Sequence, residues 1–168
     1  LKAATSGRGS DGEQPRPLVA ALQREPIELG RSETLRPGQD GTILCLGTLL
    51  SDCLAAADLL AADGLEVGVV NMRFAKPIDT GAIERALRDT DFVLTVEEGC
   101  LMGGFGSAVL ETASDLGVDT SRLKRLGLPD RFIEHGERSE LLSDLGLDPT
   151  GIATACRELA ERGEGVNA

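Results

Sequence analysis

The sequence predicts an α/β fold, a three-layer α/β/α sandwich built around a mostly parallel sheet. Short apolar runs bounded by turn residues alternate with segments whose apolar residues recur at helical spacing. Both faces of each short run are apolar, which is typical of parallel strands covered by helices on each side. At 168 residues, with 41% of them hydrophobic, the chain has enough apolar material for one core, and we expect one domain.

The two ends of the chain differ in composition. Residues 1–24 mix glycine, proline and scattered charge, so we expect a flexible linker or the remnant of a preceding region. The domain then covers residues 25–168, and we expect the last residues, from Gly163, to fray. Because the chain begins with Leu1 rather than methionine, we expect a fragment, a processed product or an incomplete reading.

The strands and helices follow from local patterns. Residues 27–35 alternate weakly and precede a Pro-Gly turn, which predicts a small edge ribbon. The buried strands are predicted over residues 42–46, 67–71, 92–96 and 123–128. Helices are predicted after Ser51, after Asp79, over 105–116, over 137–145 and after Asp148. Ser51, Asp79 and Asp148 can cap these helices, because their side-chain oxygens can accept from N–H groups of the first turn.

Composition excludes several classes of partner. The net charge of −11 and the absence of Trp and Tyr disfavour nucleic acid, which is bound by clustered cations and stacking aromatic rings. No apolar run approaches the roughly 20 residues of a membrane helix, and the start of the sequence lacks a secretory pattern. We therefore expect a cytoplasmic protein that binds neither nucleic acid nor membrane.

The four cysteines of the chain, at positions 45, 53, 100 and 156, form no Cys-x-x-Cys pair, and there is one histidine. That combination gives little scope for a zinc site. We expect reduced thiols in or near the core.

A glycine cluster over residues 103–106 opens a predicted helix soon after a strand. Such a position can receive a phosphate on its backbone N–H groups, although the spacing of a Rossmann or Walker loop is absent. Close helix packing or a subunit contact is the favoured interpretation.

Charged side chains follow two predicted strands at the edge where open α/β sheets bind ligands. Glu97 and Glu98 should point to opposite faces, so a salt bridge to Arg73 or a hydrogen bond to loop backbone is favoured over a carboxylate pair. Arg73 and Lys76 could hold a phosphate or carboxylate, or could fix the loop by pairing with Glu97 or Asp79.

His135 is the default candidate for proton transfer, yet a lone loop histidine is more often an ordinary hydrogen-bonding group. No serine or cysteine lies in a recognisable nucleophile context. We therefore assign no catalytic, cofactor-binding or metal-binding residue to this chain.

Four stretches carry a family resemblance: NMRFAKPID at 71–79, TVEEG at 95–99, GGFGS at 103–107 and LGLPDRFIEHG at 126–136. Together they resemble the C-terminal domain of the transketolase family, and within it the 1-deoxy-D-xylulose-5-phosphate synthases. The similarity covers roughly residues 26–162, with the blocks in the family's order. It implies a transketolase C-terminal-domain-like fold.

The resemblance also implies a function. Such synthases condense pyruvate with glyceraldehyde 3-phosphate, with loss of CO2, using thiamine diphosphate and magnesium bound by domains that this chain lacks. The implied role of this segment is structural: it would pack on the thiamine-binding domains of the same or a partner chain, support a homodimer, bind no cofactor alone and be inactive alone. The family's Gly-Asp-Gly motif is absent from the sequence.

Two further hypotheses remain open. The chain could be the C-terminal domain of another thiamine enzyme, a transketolase or a 2-oxoacid dehydrogenase β chain, although the Gly-Leu-Pro-Asp block at 127–130 favours the synthase. It could instead be a free-standing interaction or regulatory module that binds a protein or a small anion near Arg73 and Lys76.

Overall fold

The computed structural model of the protein describes residues 26–164, and the predicted linker over residues 1–24 lies outside them. Five strands form one sheet: β1 (Glu33–Arg36), β2 (Gly41–Leu46), β3 (Val67–Asn71), β4 (Phe92–Cys100) and β5 (Leu123–Leu128). Five helices connect or follow them: α1 (Leu50–Ala62), α2 (Thr80–Asp89), α3 (Phe105–Asp115), α4 (Arg138–Asp144) and α5 (Pro149–Glu164).

The sheet has the strand order β1-β3-β2-β4-β5, and all pairs are parallel except β1 with β3. Each parallel connection passes through a helix, as a crossover between parallel strands requires. The predicted mostly parallel sheet is therefore confirmed, and the predicted edge ribbon corresponds to β1, which pairs antiparallel to β3 from Glu33↔Asn71 onward.

Helices cover both faces of this sheet and create two cores. On one face, α1 and α5 pack against β2, β3 and β4 through fully buried side chains such as Ile43, Leu60 and Ile152. On the other face, α2 and α3 enclose Leu44, Ile83 and neighbouring side chains. These two cores confirm the three-layer α/β/α sandwich. Among the described helices, none is long and apolar enough to cross a membrane.

The helix caps confirm two predictions and correct one. Asp79 Oδ1 accepts from the Ala82 N–H at 3.0 Å, and Asp148 Oδ1 accepts from the Gly151 N–H at 2.7 Å. Ser51, in contrast, lies inside α1, and the N-cap position is Leu49, which makes no side-chain capping bond. Leu49 is fully buried. The start of α1 is therefore fixed by burial of this apolar side chain and not by the expected capping bond from Ser51.

Three of the four thiols lie in the α1/α5 core, as predicted. A hydrogen bond that the Cys53 thiol donates to Cys45, together with burial, raises the pKa of Cys53 far above its usual range, and burial raises the pKa of Cys156 to about 12. Cys53 and Cys156 therefore stay protonated and unreactive at neutral pH. Cys100 departs from the prediction: it is exposed, because β4 runs beyond the predicted end at residue 96 and leaves the covered part of the sheet.

Candidate functional site

The carboxyl edge of the sheet is where the sequence places its candidate functional residues, and β4 brings two of them there side by side. Glu97 is 5% exposed and lies beneath the start of α3, whereas Glu98 faces solvent. Adjacent strand residues point to opposite faces, so the two carboxylates have different partners. The expectation that they would not act as a pair is confirmed by their separate hydrogen bonds.

Glu97 caps α3 from a neighbouring strand. Its carboxylate oxygens accept from the backbone N–H groups of Phe105 and Gly106, both at 2.8 Å. A negative charge at this point is favoured by the dipole of the helix and by otherwise unpaired N–H groups of its first turn. The place where a phosphate could have bound is filled by a side chain of the protein itself.

At Gly104 and Gly106 the backbone lies too close to neighbouring atoms for any residue with a Cβ. A Cβ at Gly104 would lie 2.1 Å from the Cys100 carbonyl oxygen and 2.4 Å from Glu97 Oε2. A Cβ at Gly106 would lie 2.7 Å from Thr95 Oγ1. Real side chains do not approach so closely, so the favoured close-packing interpretation is confirmed at Gly104 and Gly106, whereas a Cβ at Gly103 would have nothing within 4 Å. Because Glu97 occupies the start of α3, the phosphate-binding alternative is wrong for this helix.

Arg125 on β5 fixes the loop that leads into α3. Its guanidinium donates to the Leu101 carbonyl oxygen at 2.6 Å and to Ser107 Oγ at 2.8 Å, and Ser107 Oγ in turn donates to the Leu101 carbonyl oxygen at 2.9 Å. Sequence reasoning missed Arg125. The signal available was a basic residue inside an otherwise apolar strand pattern, next to Lys124.

Beneath the same turn lies Thr95, whose side chain is fully buried. Its Oγ1 has no hydrogen-bond partner among the residues that the structure describes. An unpaired buried hydroxyl destabilises the fold. Thr95 therefore marks a point where the packing under α3 is imperfect.

Glu98 joins three separate segments of the chain. Its carboxylate accepts two hydrogen bonds from the Arg138 guanidinium, at 2.8 and 2.5 Å, and one from Thr48 Oγ1 at 2.5 Å. The hydrogen bonds from Arg138 and then from Thr48 lower the pKa of Glu98 to about 2. This cluster ties the start of α4 and the loop after β2 to the end of β4. Sequence reasoning missed both partners, because they lie far from Glu98 in the chain.

Arg73 and Lys76 follow β3 but do not meet the predicted partners. Arg73, with a φ of 59°, pairs with Glu33 on β1 at 2.5 Å. Of the two alternatives expected for Glu97, the salt bridge to Arg73 is therefore wrong and the hydrogen bond to backbone is confirmed. Lys76 is exposed and forms no ion pair with any residue from 26 to 164.

Asp79, the alternative partner for the same loop, is committed to backbone and to Ser32. Burial alone would raise its pKa, but hydrogen bonds from Ser32 and Ala82 outweigh that effect and leave the pKa below its usual value. Asp79 therefore joins the segment before β1 to the start of α2. Neither Arg73 nor Asp79 presents an uncommitted charge to a ligand.

His135 lies exposed in the segment between β5 and α4. Within the described part of the chain, no three His, Cys, Asp or Glu side chains converge to hold a metal ion. Nothing in this geometry pairs His135 with a nucleophile or with a second titratable group.

A groove of about 920 Å³ lies elsewhere, along the outer edge of β5. Its cations are already neutralised in part, since Arg122 pairs with Asp91 at 3.4 Å and Lys124 pairs with Glu158 at 2.8 Å. Basic residues on an unpaired edge strand also prevent pairing with other chains. The groove does not carry the geometry of a catalytic site.

Comparisons with known proteins agree with this architecture. The family described as "Transketolase, C-terminal domain" matches residues 30–152. A 1-deoxy-D-xylulose-5-phosphate synthase of Rhodopirellula baltica is 50% identical over 143 residues, which are 85% of this chain and 22% of the relative. The enzyme of the same name from Gloeobacter violaceus is 48% identical over 151 residues, which are 90% of this chain and 23% of the relative. This chain thus spans less than a quarter of these relatives.

Solved structures show the same fold. A chain described as "Split gene transketolase, inactive beta4 tetramer" is 34% identical and superposes with a TM-score of 0.72, covering 80% of this chain and 43% of its own. A Pichia stipitis transketolase superposes with a TM-score of 0.57 at 20% identity, covering 80% of this chain and 18% of its own, and supports the fold alone. The chain belongs to the transketolase C-terminal domain family.

Proposed function

We propose that this chain is the C-terminal domain of a 1-deoxy-D-xylulose-5-phosphate synthase and serves a structural role in that enzyme. The observation that carries the proposal is the 50% and 48% identity to two enzymes of that name along 85% and 90% of this chain. The complete enzyme would condense pyruvate with glyceraldehyde 3-phosphate and release CO2. A plain transketolase is the weaker alternative, because the split-gene transketolase is 34% identical.

The geometry of the carboxyl edge supports a structural role. The backbone N–H groups at the start of α3, which could stabilise an anion, are bound by Glu97. Glu98 is bound by Arg138 and Thr48, and Arg73 is bound by Glu33. Charged groups committed to one another in this way hold loops in place and are poorly available to a substrate.

The described residues do not fit thiamine diphosphate or magnesium. A diphosphate needs unpaired N–H groups or cations, and the α3 terminus is already filled by a carboxylate. Metal-binding clusters of three or more acidic, histidine or cysteine side chains are not found within residues 26–164. We therefore assign the cofactor and the metal to other domains of the parent enzyme, which we expect to be a cytoplasmic homodimer.

A split enzyme is the second candidate, and one observation favours it. The related solved chain carries the description of a split gene product, so a homologous domain exists in an enzyme divided over two genes. In that case this chain would act with a separate thiamine-binding subunit. The domain's role would stay structural in both arrangements.

Both arrangements can be tested with the R. baltica relative. Its matched C-terminal segment is replaced by residues 26–168 of this chain, and 1-deoxy-D-xylulose 5-phosphate formation is measured with thiamine diphosphate and magnesium. We expect the chimera to be active and the relative truncated before that segment to be inactive. An inactive chimera that retains the relative's oligomeric state and unfolding temperature would contradict the synthase assignment.

The isolated chain provides the second measurement. Titration calorimetry with thiamine diphosphate and magnesium should show no binding, because the anion site suggested by the glycine cluster at the start of α3 is filled by Glu97. Binding at micromolar concentration would overturn the structural role. Adding the truncated relative to the isolated chain and recovering activity would favour the split arrangement.

A further inference from the structure

Phe132 is the most exposed large apolar side chain in the described part of the molecule, at 104% of its reference exposure. It lies in the segment 129–137, which joins β5 to α4 without helix or strand. Removing a phenylalanine side chain from water is strongly favourable. A fully exposed phenylalanine therefore has a large apolar surface that a binding partner could bury.

The segment that presents Phe132 is fixed at both ends. At its start, the Leu128 carbonyl oxygen accepts from the Leu101 N–H at 2.9 Å, and the Pro129 carbonyl oxygen accepts from the Arg131 N–H at 2.8 Å. At its end, Arg138 is bound by Glu98. Phe132 is thus presented on a short path between two anchors, and binding there would cost little additional ordering entropy.

A second exposed apolar side chain, Met102, follows the strand that neighbours β5. Met102 is 72% exposed and follows β4, the strand next to β5, where Cys100 is in register with Leu128. Met102 and Phe132 therefore emerge at the same edge of the sheet from neighbouring strands. We call these two side chains the Phe132 patch.

The charged residues near Phe132 in the sequence indicate which kind of partner surface could bind the patch. Asp130, Glu134 and Glu137 flank Phe132 in the sequence. The basic residues of this stretch are Arg131, the single histidine at position 135, and Arg138, which is paired with Glu98. Two copies of this chain meeting at the patch would bring these acidic side chains together, in a protein whose net charge is already −11. A second copy is therefore disfavoured, and a partner surface with basic residues around an apolar pocket fits.

We propose that the Phe132 patch is the docking surface for the thiamine-binding part of the synthase, with Phe132 as the anchor in an apolar pocket that has a basic rim. This docking rests on the proposed function, and it identifies which surface of the domain faces the rest of the enzyme. The relatives support such an occupant, because 78% of the R. baltica synthase lies outside the match that covers 22% of it. A single buried aromatic anchor often dominates an interface of this kind.

The first test uses the isolated chain, where Phe132→Ser should leave the urea midpoint unchanged, because the side chain contacts little of its own domain. The matched control is Leu59→Ser, which replaces another exposed apolar side chain, 43% exposed and located on α1. A large loss of stability in Phe132→Ser but not in Leu59→Ser would show that Phe132 packs within this domain, and would overturn the docking role.

The second test places both substitutions in the active chimera and measures how fast trypsin releases the C-terminal domain. We expect Phe132→Ser to accelerate release by about tenfold, since losing an anchor residue increases the undocked population, and Leu59→Ser to leave it unchanged. Equal release rates for the two variants in an active chimera would contradict the docking surface while leaving the synthase assignment intact.

The occupant is identified by photo-crosslinking with Phe132→p-benzoylphenylalanine in the same chimera. We expect the crosslink to join position 132 to a peptide from the thiamine-binding part, in the same or the partner chain. A crosslink to another copy's C-terminal domain, or no protein crosslink at all, would overturn the proposal. An inactive chimera instead contradicts the proposed function, so the two failures are distinguishable.

Discussion

Glu97 and Glu98 are consecutive residues of β4, yet they stabilise the molecule in opposite ways. Glu97 is buried and accepts from two buried backbone N–H groups, which could not hydrogen-bond to water if the carboxylate were removed. Glu98 is partly exposed and binds the side chains of Arg138 and Thr48, which water can solvate if the pair separates. We infer that a carboxylate's contribution to stability depends on whether its donors could hydrogen-bond to water in its place. The number of hydrogen bonds that the carboxylate accepts matters much less.

The largest expected effect follows from removing the buried carboxylate. Glu97→Ala leaves the Phe105 and Gly106 N–H groups unpaired beneath α3 and opens a small cavity. We expect the free energy of unfolding to fall by about 3 kcal/mol, measured by urea denaturation. The matched control Glu98→Ala should cost far less. If the two substitutions cost the same, the contrast between the neighbouring carboxylates is wrong.

Steric crowding around the same carboxylate gives a second, smaller effect. Gly104→Ala places a methyl group against the Cys100 carbonyl oxygen, and we expect a loss of about 2 kcal/mol. Gly103→Ala is the matched control: nothing lies within 4 Å of its Cβ, so only its φ of 72° opposes the substitution, at a cost of about 1 kcal/mol. Unfolding experiments in which Gly103→Ala is the more damaging change would refute the packing interpretation.

A stabilising substitution should exist in the same region. Thr95→Val replaces the buried, unpartnered Oγ1 by a methyl group of similar size, and we expect a gain of about 1 kcal/mol in the unfolding free energy. Thr42→Val is the control, because Thr42 Oγ1 has a hydroxyl partner in Thr90 at 3.4 Å. A loss of stability in Thr95→Val would indicate that its hydroxyl has a partner, such as a buried water molecule.

The exposed carboxylate should give the smallest effect, and one that depends on pH. The folded-state pKa of Glu98 is about 2, below the value of about 4.3 expected for an unfolded chain. Its contribution is therefore present above about pH 4.3 and is lost as the pH falls toward 2. Glu98→Gln should cost less than about 1 kcal/mol at pH 7, because Arg138 is largely exposed.

The check on this last expectation is the difference in unfolding free energy between Glu98→Gln and the unsubstituted chain, followed from pH 7 downward. The difference should shrink below about pH 4.3, where the carboxylate of the unfolded chain begins to take up its proton. A difference that is constant to pH 2, or that grows on acidification, would contradict the Arg138 assignment.

Local patterns were sufficient to predict most of the fold. The runs ending near Leu46 and Asn71 are strands because they are short and almost entirely apolar, and Asp79 caps α2 because its side chain reaches Ala82. The exceptions depend on tertiary contacts. The start of α1 is set by the buried Leu49 and not by Ser51, and β4 continues past residue 96 because β5 supplies a partner as far as Cys100.

The candidate site could be predicted only in part. Gly104 and Gly106 were correctly interpreted as packing residues, and the separate orientations of Glu97 and Glu98 follow from strand geometry alone. The partners themselves were not predictable, because Arg138 is 40 residues away from Glu98 and Arg125 reaches Ser107 across 18 residues. A single sequence contains no signal that joins residues over such separations.

The burial of three thiols gives the molecule an intrinsic label position. Cys45, Cys53 and Cys156 are enclosed in the core, whereas Cys100 lies exposed at the carboxyl edge, and these four are all the cysteines of the chain. A maleimide fluorophore should therefore attach at one native position in the folded protein, without any engineered cysteine. That dye would stand one strand away from the start of the Phe132 segment, where its emission and anisotropy would report the arrival of a neighbouring domain in real time.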